Sequence, residues 1–175
     1  MPLSADFEYE LEGNEVDFQT GLTALSKIAK TYLGVGAKQT AKALLDAKNV
    51  EINVFDGPCP AGNVGVQVNN VCPVNKGETV WTVNPTTVIY IGRLFNKGIV
   101  DLKHLIAVAG SEVNAPAYTE VLVGQSVASV LDGQLNGEGH LRIINGNPLT
   151  GRHCSVNDYV GAHASELTVI PEGDD

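Results

Sequence analysis

Two strand-like runs on either side of a helix-forming stretch constrain the fold of the first half of the chain most strongly. The run TYLGVG at 31–36 is apolar and ends in glycines, and VEINVF at 50–55 alternates apolar and polar residues. The stretch between them, AKQTAKALLDAKN, is rich in helix formers. Two strands joined through a helix pair in parallel, because a parallel pair needs a crossover connection. The sequence therefore predicts a strand–helix–strand α/β unit.

Two longer helices are expected around this unit. Apolar residues recur at helical spacing over about 16–30. A second helix over about 85–97 has both of its boundaries marked, since Asn84 is a good N-cap, Pro85 suits the first helical position, and Gly98 follows the last turn.

The second half of the chain has a different pattern of predicted strands and helices. Two strand patterns, a short helix closed by Gly133 and two further strand patterns follow one another, at 102–110, 117–124, 125–133, 140–146 and 166–171. This is the element order of a β-grasp module. We therefore expect two domains, an α/β module over 1–100 and a β-grasp module over 101–175.

Charge and composition exclude several classes of partner. The formal net charge is −9, from 20 acidic and 11 basic residues, and the basic residues do not cluster. A nucleic-acid partner or an anionic lipid surface would require such a cluster. No apolar run approaches the ~18 residues of a membrane span, and three cysteines with no glycosylation sequon suit a reducing cytoplasm.

Most short motifs that could carry chemistry are incomplete. Gly34 and Gly36 follow a strand and precede a helix, but the third position of a dinucleotide fingerprint is Gln39, and no P-loop is present. The cysteines form no C-x-x-C pair that would indicate a metal or an iron–sulfur cluster. No serine or cysteine lies in a nucleophile motif, so we expect neither a metal site nor a catalytic residue.

Two loops remain as candidate sites. FDGPCPAGNVG at 55–65 directly follows a strand, where a phosphate, a metal or a flavin often binds, although a plain turn explains it too. GNPLTGRHC at 146–154 carries Arg152, which either grips an anionic group on a partner or is only solvated.

Several phrases, in this order along the chain, resemble one family. They are FQTGLTALSKIAK, NVEINVFDGPCPAGNVG, VCPV, TVWTVNPTTVIYIGRLFNKG, LIAVAGSEVNAPAYTEVLVG, NPLTGRHC and VIPEGDD. Together they resemble the middle of the NqrA subunit of the bacterial sodium-translocating NADH:quinone oxidoreductase. That family is similar in fold to the C subunit of the Rnf complex and to the flavin-binding NADH subunit of respiratory complex I. The resemblance implies that the module over 1–100 is Rossmann-like and that the β-grasp module over 101–175 is of the soluble-ligand-binding type.

The resemblance implies a peripheral subunit on the cytoplasmic face of the bacterial inner membrane. Its partners would be the other subunits of the complex, above all the membrane-embedded subunit that reduces quinone. NADH, flavins, iron–sulfur centres and quinone would be bound by those other subunits, with no cofactor on this chain. The resemblance further implies a biotinyl-like barrel before PLSADF and more chain after PEGDD.

One departure from the family pattern concerns the first loop. The family reads GPHPAG where this chain has Cys59 in place of the histidine, so the side chain at that position is not an indispensable ligand or acid–base group. The related flavoproteins carry charges soon after this loop, whereas AGNVGVQV is uncharged. We therefore interpret the loop as the relic of a cofactor site, kept as a structural or docking turn.

Three functions follow as hypotheses. The first is a docking scaffold within the complex, and the second is a module that binds quinone or another small ligand. The third, an NADH-oxidising flavoprotein, rests on fold analogy and lacks the glycine fingerprint. The candidate ligand or docking residues lie in the first loop, in a groove expected between the modules, and in the second loop: Pro58, Pro60, Gly62, Asn63, Trp81, His104 and Arg152.

Overall fold

The computed structural model describes residues 4–136 and 139–174 and divides into two compact units. Residues 11–101 form the first unit. The second unit combines residues from 102 onward with the N-terminal segment up to residue 10, which the sequence had placed in the first module. Positions 1–3, 137, 138 and 175 of the predicted domains lie outside the described residues.

The first unit is built on a parallel strand pair with helices. A short helix, α1 (Phe7–Leu11), precedes it. The two strands pair in parallel from Tyr32 with Glu51 to Gly36 with Phe55, which confirms the predicted crossover. Its elements are, in order, α2 (Glu15–Ser26), β1 (Tyr32–Gly36), α3 (Lys42–Leu45), β2 (Glu51–Phe55), α4 (Val64–Val71) and α5 (Pro85–Lys97).

The helix α5 has the boundaries that its sequence predicts. The side chain of Asn84 accepts a hydrogen bond from the backbone N–H of Thr86 at 3.0 Å, and Pro85 is the first helical residue. Gly98 ends the helix at φ 69°, a left-handed conformation that glycine adopts without strain.

The stretch between β1 and β2 departs from prediction. Only one turn, α3, is helical, although helix formers fill positions 37–49. The side-chain oxygen of Gln39 accepts from the backbone N–H groups of Thr40 and Ala41, both at 2.8 Å, so these two groups bond outside any helix just before the turn. Asn49 then adopts φ 66° and ends the segment ahead of β2.

Two glycines allow α2 and α5 to pack closely within the first unit. A Cβ atom on Gly21 would lie 2.1 Å from the carbonyl oxygen of Val88, and one on Gly92 would lie 1.7 Å from that of Asp17. Both distances are far below van der Waals contact. The helix backbones therefore approach each other at a distance that no larger residue permits.

A buried arginine ties this crossing together. Arg93, only 8% exposed, donates from Nη2 to the side-chain oxygen of Asn14 at 2.9 Å. Its guanidinium also lies 3.8 Å from a carboxylate oxygen of Asp17 and 3.6 Å from one of Asp101. Asn96 donates to Asp17 at 2.7 Å, so the charged groups at the crossing are mutually satisfied.

The second unit is a five-stranded mixed sheet with one short helix. The strand order is β4-β3-β7-β5-β6, in which β3 and β7 are parallel and the other neighbours are antiparallel. A hairpin, a helix and a last strand that returns beside the first are the arrangement of a β-grasp, which confirms that prediction. The elements are β3 (Lys103–Ala109), β4 (Ala117–Leu122), α6 (Val127–Leu131), β5 (Leu141–Asn145), β6 (Arg152–Cys154) and β7 (Glu166–Pro171).

The strand β6 was not predicted, because its three residues lie in what the sequence presents as a Gly/Pro/Asn loop. It pairs with β5, and Cys154 joins the apolar core of this unit. That core lies between the sheet and α6, and its most buried members are Ile106, Val121, Val127, Leu167 and Val169.

Candidate functional site

The Gly/Pro-rich loop at 57–63 begins where β2 ends, at the carboxyl end of the parallel strand pair. Ligands of α/β folds bind at this end of the strands. The loop is held by its own backbone, since Ala61 N–H donates to the carbonyl of Pro58 at 2.9 Å and Asn63 N–H to that of Pro60 at 2.8 Å. Pro58, Pro60, Gly62 and Asn63, four of the predicted site residues, therefore lie together on this exposed loop.

The helix α4, which follows the loop, was not predicted. Asn63 caps it, and its side-chain oxygen accepts from the backbone N–H of Gly65 at 2.9 Å. Gln67 on the first turns of α4 donates to the carbonyl of Ala61 at 3.4 Å. A Cβ on Gly34 of β1 would lie 2.6 Å from the Gln67 side-chain oxygen, so Gln67 fills the space beside the strand.

The electrostatics of the loop do not favour an anion. Three of its backbone N–H groups, those of Ala61, Asn63 and Gly65, already donate to oxygens of the loop. The charged residue next to the loop in sequence is the exposed Asp56, and residues 57–68 carry no charge. A phosphate held here would meet a neighbouring carboxylate and no cationic side chain from residues 57–68.

A second exposed region of the first unit connects α4 to α5. Residues 73–84 have no regular secondary structure, and every residue from 73 to 85 is exposed. Trp81, the only tryptophan of the chain, is 87% exposed, and Val74, Val80 and Val83 are exposed between 40% and 46%. We call residues 73–84 the connecting segment.

The remaining two predicted residues belong to the second unit. His104 lies on β3 and is buried, with Nε2 3.1 Å from the carbonyl oxygen of Ala164. Arg152 lies on β6 rather than in a loop, and it is exposed. The predicted groove lined by Trp81 and His104 stays a prediction.

The three cysteines differ in burial. Cys59 is exposed, Cys72 is half-buried, and Cys154 is buried in the core of the second unit. Burial raises the pKa of the Cys154 thiol, and the nearby charge of Asp158 adds to the effect. Within the described residues, no three His, Cys, Asp or Glu side chains come together as metal ligands would.

A shallow depression of about 440 Å³ lies at the other end of the parallel strands, where β1 and β2 begin. Its lining includes Thr31, Val50 and the ion pair between Lys30 and Glu51, whose atoms are 2.8 Å apart. Hydrogen bonds to Glu51, and then to Tyr32, raise the pKa of Lys30. The depression is open to solvent, whereas a ligand pocket encloses most of the surface of its ligand.

A row of charges lies along β5 and the end of the chain. His140 Nδ1 is 2.9 Å from a carboxylate oxygen of Asp174, which raises the pKa of the imidazole. Arg142 donates to Glu172 and lowers the pKa of that carboxyl. Sequence reasoning did not identify this row, because the pairing of β5 with β7 is what brings the partners together.

No helix among the described residues is both long and apolar enough to cross a bilayer.

The sequence matches two protein-family models. The model described as the NqrA second alpha/beta domain matches residues 1–100, and the one described as the NQRA C-terminal domain matches residues 105–156. The two models thus cover the α/β part and most of the β-grasp part in turn.

Three curated relatives carry the same name, that of the NqrA subunit of the Na(+)-translocating NADH-quinone reductase. The chain is 34% identical to the protein of Neisseria meningitidis serogroup A and 33% identical to that of Hahella chejuensis, each over 174 residues. It is 32% identical to the protein of Vibrio alginolyticus over 173 residues. Each match covers 98% of this chain and 39% of the relative, so the chain spans about two fifths of the length of the relatives.

Proposed function

The chain belongs to the NqrA family of the Na⁺-translocating NADH-quinone reductases, and we propose that it is a docking scaffold for the other subunits of such a complex. In this proposal the chain is peripheral, faces the cytoplasm and binds no cofactor itself. NADH, flavins, iron–sulfur centres and quinone are handled by the other subunits. The main partner is the membrane-embedded subunit that reduces quinone.

The exposure of the connecting segment carries the proposal. Large apolar side chains lose ~25 cal/mol of stabilisation for each Å² that stays in water. A tryptophan that is 87% exposed, with valines on both sides, therefore gains most when another surface covers it. Tryptophan is also among the residues most enriched in the energetic centres of protein interfaces.

The geometry of the 57–63 loop supports the absence of a cofactor. In the loop, the N–H groups of Ala61 and Asn63 donate to the carbonyls of Pro58 and Pro60. In the first turn of α4, the N–H of Gly65 donates to the Asn63 side chain, and Gln67 occupies the space beside Gly34. A flavin phosphate bound here would gain no cationic partner from the loop, since residues 57–68 are uncharged.

The docking role can be tested with the single tryptophan of the segment. The full-length subunit is labelled with 5-fluorotryptophan, and the ¹⁹F resonance of Trp81 is assigned by its loss in Trp81→Phe. On assembly with the other subunits, we expect this resonance to shift and to become inaccessible to a soluble paramagnetic quencher. In Trp81→Ser, assembly should weaken about tenfold or more while the unfolding temperature is unchanged.

Exposed Leu45, on α3 of the same unit, offers a matched control. Leu45→Ser removes an exposed apolar side chain outside the connecting segment and should leave assembly intact. If Trp81 stays accessible to the quencher in the assembled complex, the connecting segment is not a docking surface and the proposal fails.

A second candidate function is quinone binding at the 57–63 loop. Its position at the carboxyl end of β1 and β2 favours it, because this end is where α/β folds bind their ligands. The test is an NMR titration of the isotope-labelled protein with a short-chain, water-soluble quinone, with flavin mononucleotide in a parallel sample. Saturable shifts in residues 57–65 with quinone would establish ligand binding, and stoichiometric flavin would refute the cofactor-free scaffold.

A further inference from the structure

The turn between β5 and β6 presents an apolar side chain to solvent. Leu149 is 92% exposed, the highest value among the large hydrophobic residues of the described chain. At this exposure the side chain buries little apolar area in the fold. Contact with another surface would remove that area from water, which is favourable.

This turn is rigid because of one buried side chain. Asn147, 7% exposed, accepts from the backbone N–H groups of Leu149 and Thr150, both at 2.9 Å, and donates to the Thr150 hydroxyl at 2.9 Å. Its own carbonyl accepts from Gly151 N–H at 2.8 Å, which closes the turn. Four hydrogen bonds thus fix the backbone that carries Leu149.

The turn is also fixed to the sheet. The Thr168 hydroxyl of β7 donates to the carbonyl of Gly146 at 2.8 Å, and Gly146 adopts φ 108°. A Cβ on Gly151 would lie 2.5 Å from both the Asn147 carbonyl oxygen and the Ile144 side chain. The leucine is therefore presented at a defined place and not by a mobile loop.

Arg152, three residues after Leu149, is the second side chain of interest near this turn. In the described part of the second unit, Lys103 pairs with Glu120 at 3.1 Å and Arg142 pairs with Glu172. Arg152 is exposed on the edge strand β6, with no ion pair among the described residues, in a chain of net charge −9. Its guanidinium is free to bind a carboxylate in two-point geometry.

We propose that the β5–β6 turn, residues 146–152, is a preformed anchor that inserts Leu149 into an apolar pocket of another subunit while Arg152 pairs with a carboxylate at the rim of that pocket. The rigid turn lowers the entropy lost on association. The unpaired arginine sets the chemistry of the partner, which must be apolar at the centre and acidic at the edge. This inference rests on the proposed docking function, because that function supplies the partner subunit.

The test uses the assembled reductase with the full-length protein. The photo-crosslinking residue p-benzoylphenylalanine replaces Leu149 and, in a control complex, the exposed Leu122 at the end of β4, the other edge strand of the sheet. We expect irradiation to link position 149 to one segment of a neighbouring subunit that contains apolar residues and an Asp or Glu. A link only to the same polypeptide, or equal yields at both positions, would overturn the proposal.

Variants then measure the contribution of each part. Leu149→Ser and Arg152→Glu should each weaken binding of the protein to the rest of the complex about tenfold, while Leu122→Ser has no effect. Exchanging the cross-linked acid for lysine should restore binding to Arg152→Glu and not to Leu149→Ser. Both replaced side chains are exposed, so the unfolding temperature should not change.

The failures of the two proposals are distinguishable. If Trp81→Ser weakens assembly while Leu149→Ser and Arg152→Glu do not, the anchor is refuted and the docking function stands. If none of the three variants weakens assembly, the docking function and the anchor both fail.

Discussion

Replacing Gly92 by alanine tests the close packing of α2 and α5. The added Cβ would lie 1.7 Å from the carbonyl oxygen of Asp17, whereas ordinary contact begins near 3.4 Å. The carbonyl oxygen is a backbone atom and the backbone fixes the position of Cβ, so no side-chain rotation relieves the overlap. The helices must separate by roughly 1.7 Å at this point, well beyond what a packed core absorbs without cost.

The magnitude follows from two opposed terms. In an open helix, alanine in place of glycine would stabilise the chain by about 1 kcal/mol. Overpacking costs typically about 1–3 kcal/mol, and separating the helices also loosens the buried bonds of Arg93 to Asn14 and Asp17. The overpacking cost less the gain from alanine is about 0–2 kcal/mol, and the loosened bonds of Arg93 add about 1–2 kcal/mol, so we expect a net loss of about 1–4 kcal/mol for Gly92→Ala. Gly21→Ala, whose Cβ would meet the Val88 carbonyl at 2.1 Å, should show a similar loss.

The assay is urea unfolding followed by far-ultraviolet circular dichroism. Gly36→Ala is the matched control in the same unit, because nothing lies within 4 Å of the position its Cβ would occupy. The free energy of unfolding should change by less than about 1 kcal/mol in that control. An increase in stability of about 1 kcal/mol for Gly92→Ala would show that the helices are not in close contact there, and would refute the reasoning.

Three further predictions concern single side chains. Asn84→Ala removes the cap of α5 and should lower the free energy of unfolding by about 1 kcal/mol in the same urea assay, whereas Asn84→Asp should preserve most of it. Glu166 is fully buried on β7, and neither carboxylate oxygen has a hydrogen-bond partner among the described residues. Glu166→Leu should therefore leave the free energy of unfolding unchanged or raise it by about 1–3 kcal/mol, and a clear decrease would reveal that the carboxylate has a partner. Asp174 raises the pKa of His140, so the pair stabilises the fold below the ordinary histidine pKa of ~6.5, and this contribution is lost as the pH rises through the higher pKa of the folded state. In an NMR titration of the imidazole, the pKa of His140 should be lower in Asp174→Asn, and an unchanged pKa would disprove the pairing.

The parts of the fold that were predictable from sequence are those determined by local chemistry. The boundaries of α5 follow from a side-chain cap at Asn84, a fixed φ at Pro85 and a left-handed glycine at Gly98, none of which needs a distant partner. The parallel pair of β1 and β2 follows from two strand patterns and the connection between them.

The parts that were missed depend on tertiary contacts. The strand β6 exists because it pairs with β5 and because Cys154 enters the core. The helix α4 contains valines, asparagines and a glycine, which are poor helix formers, and its start depends on the cap at Asn63. Hydrophobic periodicity within a short stretch of sequence indicates neither the pairing of distant strands nor the capping of a helix by a side chain.

The candidate site, too, was predictable only in the features that local sequence determines. The Gly/Pro composition of 57–63 predicts a loop, and the loop is there with its four candidate residues together. The exposure of Trp81 was not predictable, because an apolar residue is more often buried than exposed. Likewise, the asparagine-organised turn that exposes Leu149 depends on Thr168, a residue of a strand far along the chain.

The distribution of charged and exposed apolar side chains favours specific docking to a matching partner over nonspecific association. A net charge of −9 keeps chains of this kind apart in solution, since like-charged molecules repel each other. Exposed apolar side chains that were scattered at random would add little to any one contact. Exposed apolar side chains also lie elsewhere, such as Ile28 and Val16, but the connecting segment groups Trp81 with three exposed valines, and Leu149 lies on the hydrogen-bonded turn that precedes Arg152. A partner must therefore match both the apolar shape and the charge, which is how specific interfaces discriminate between partners.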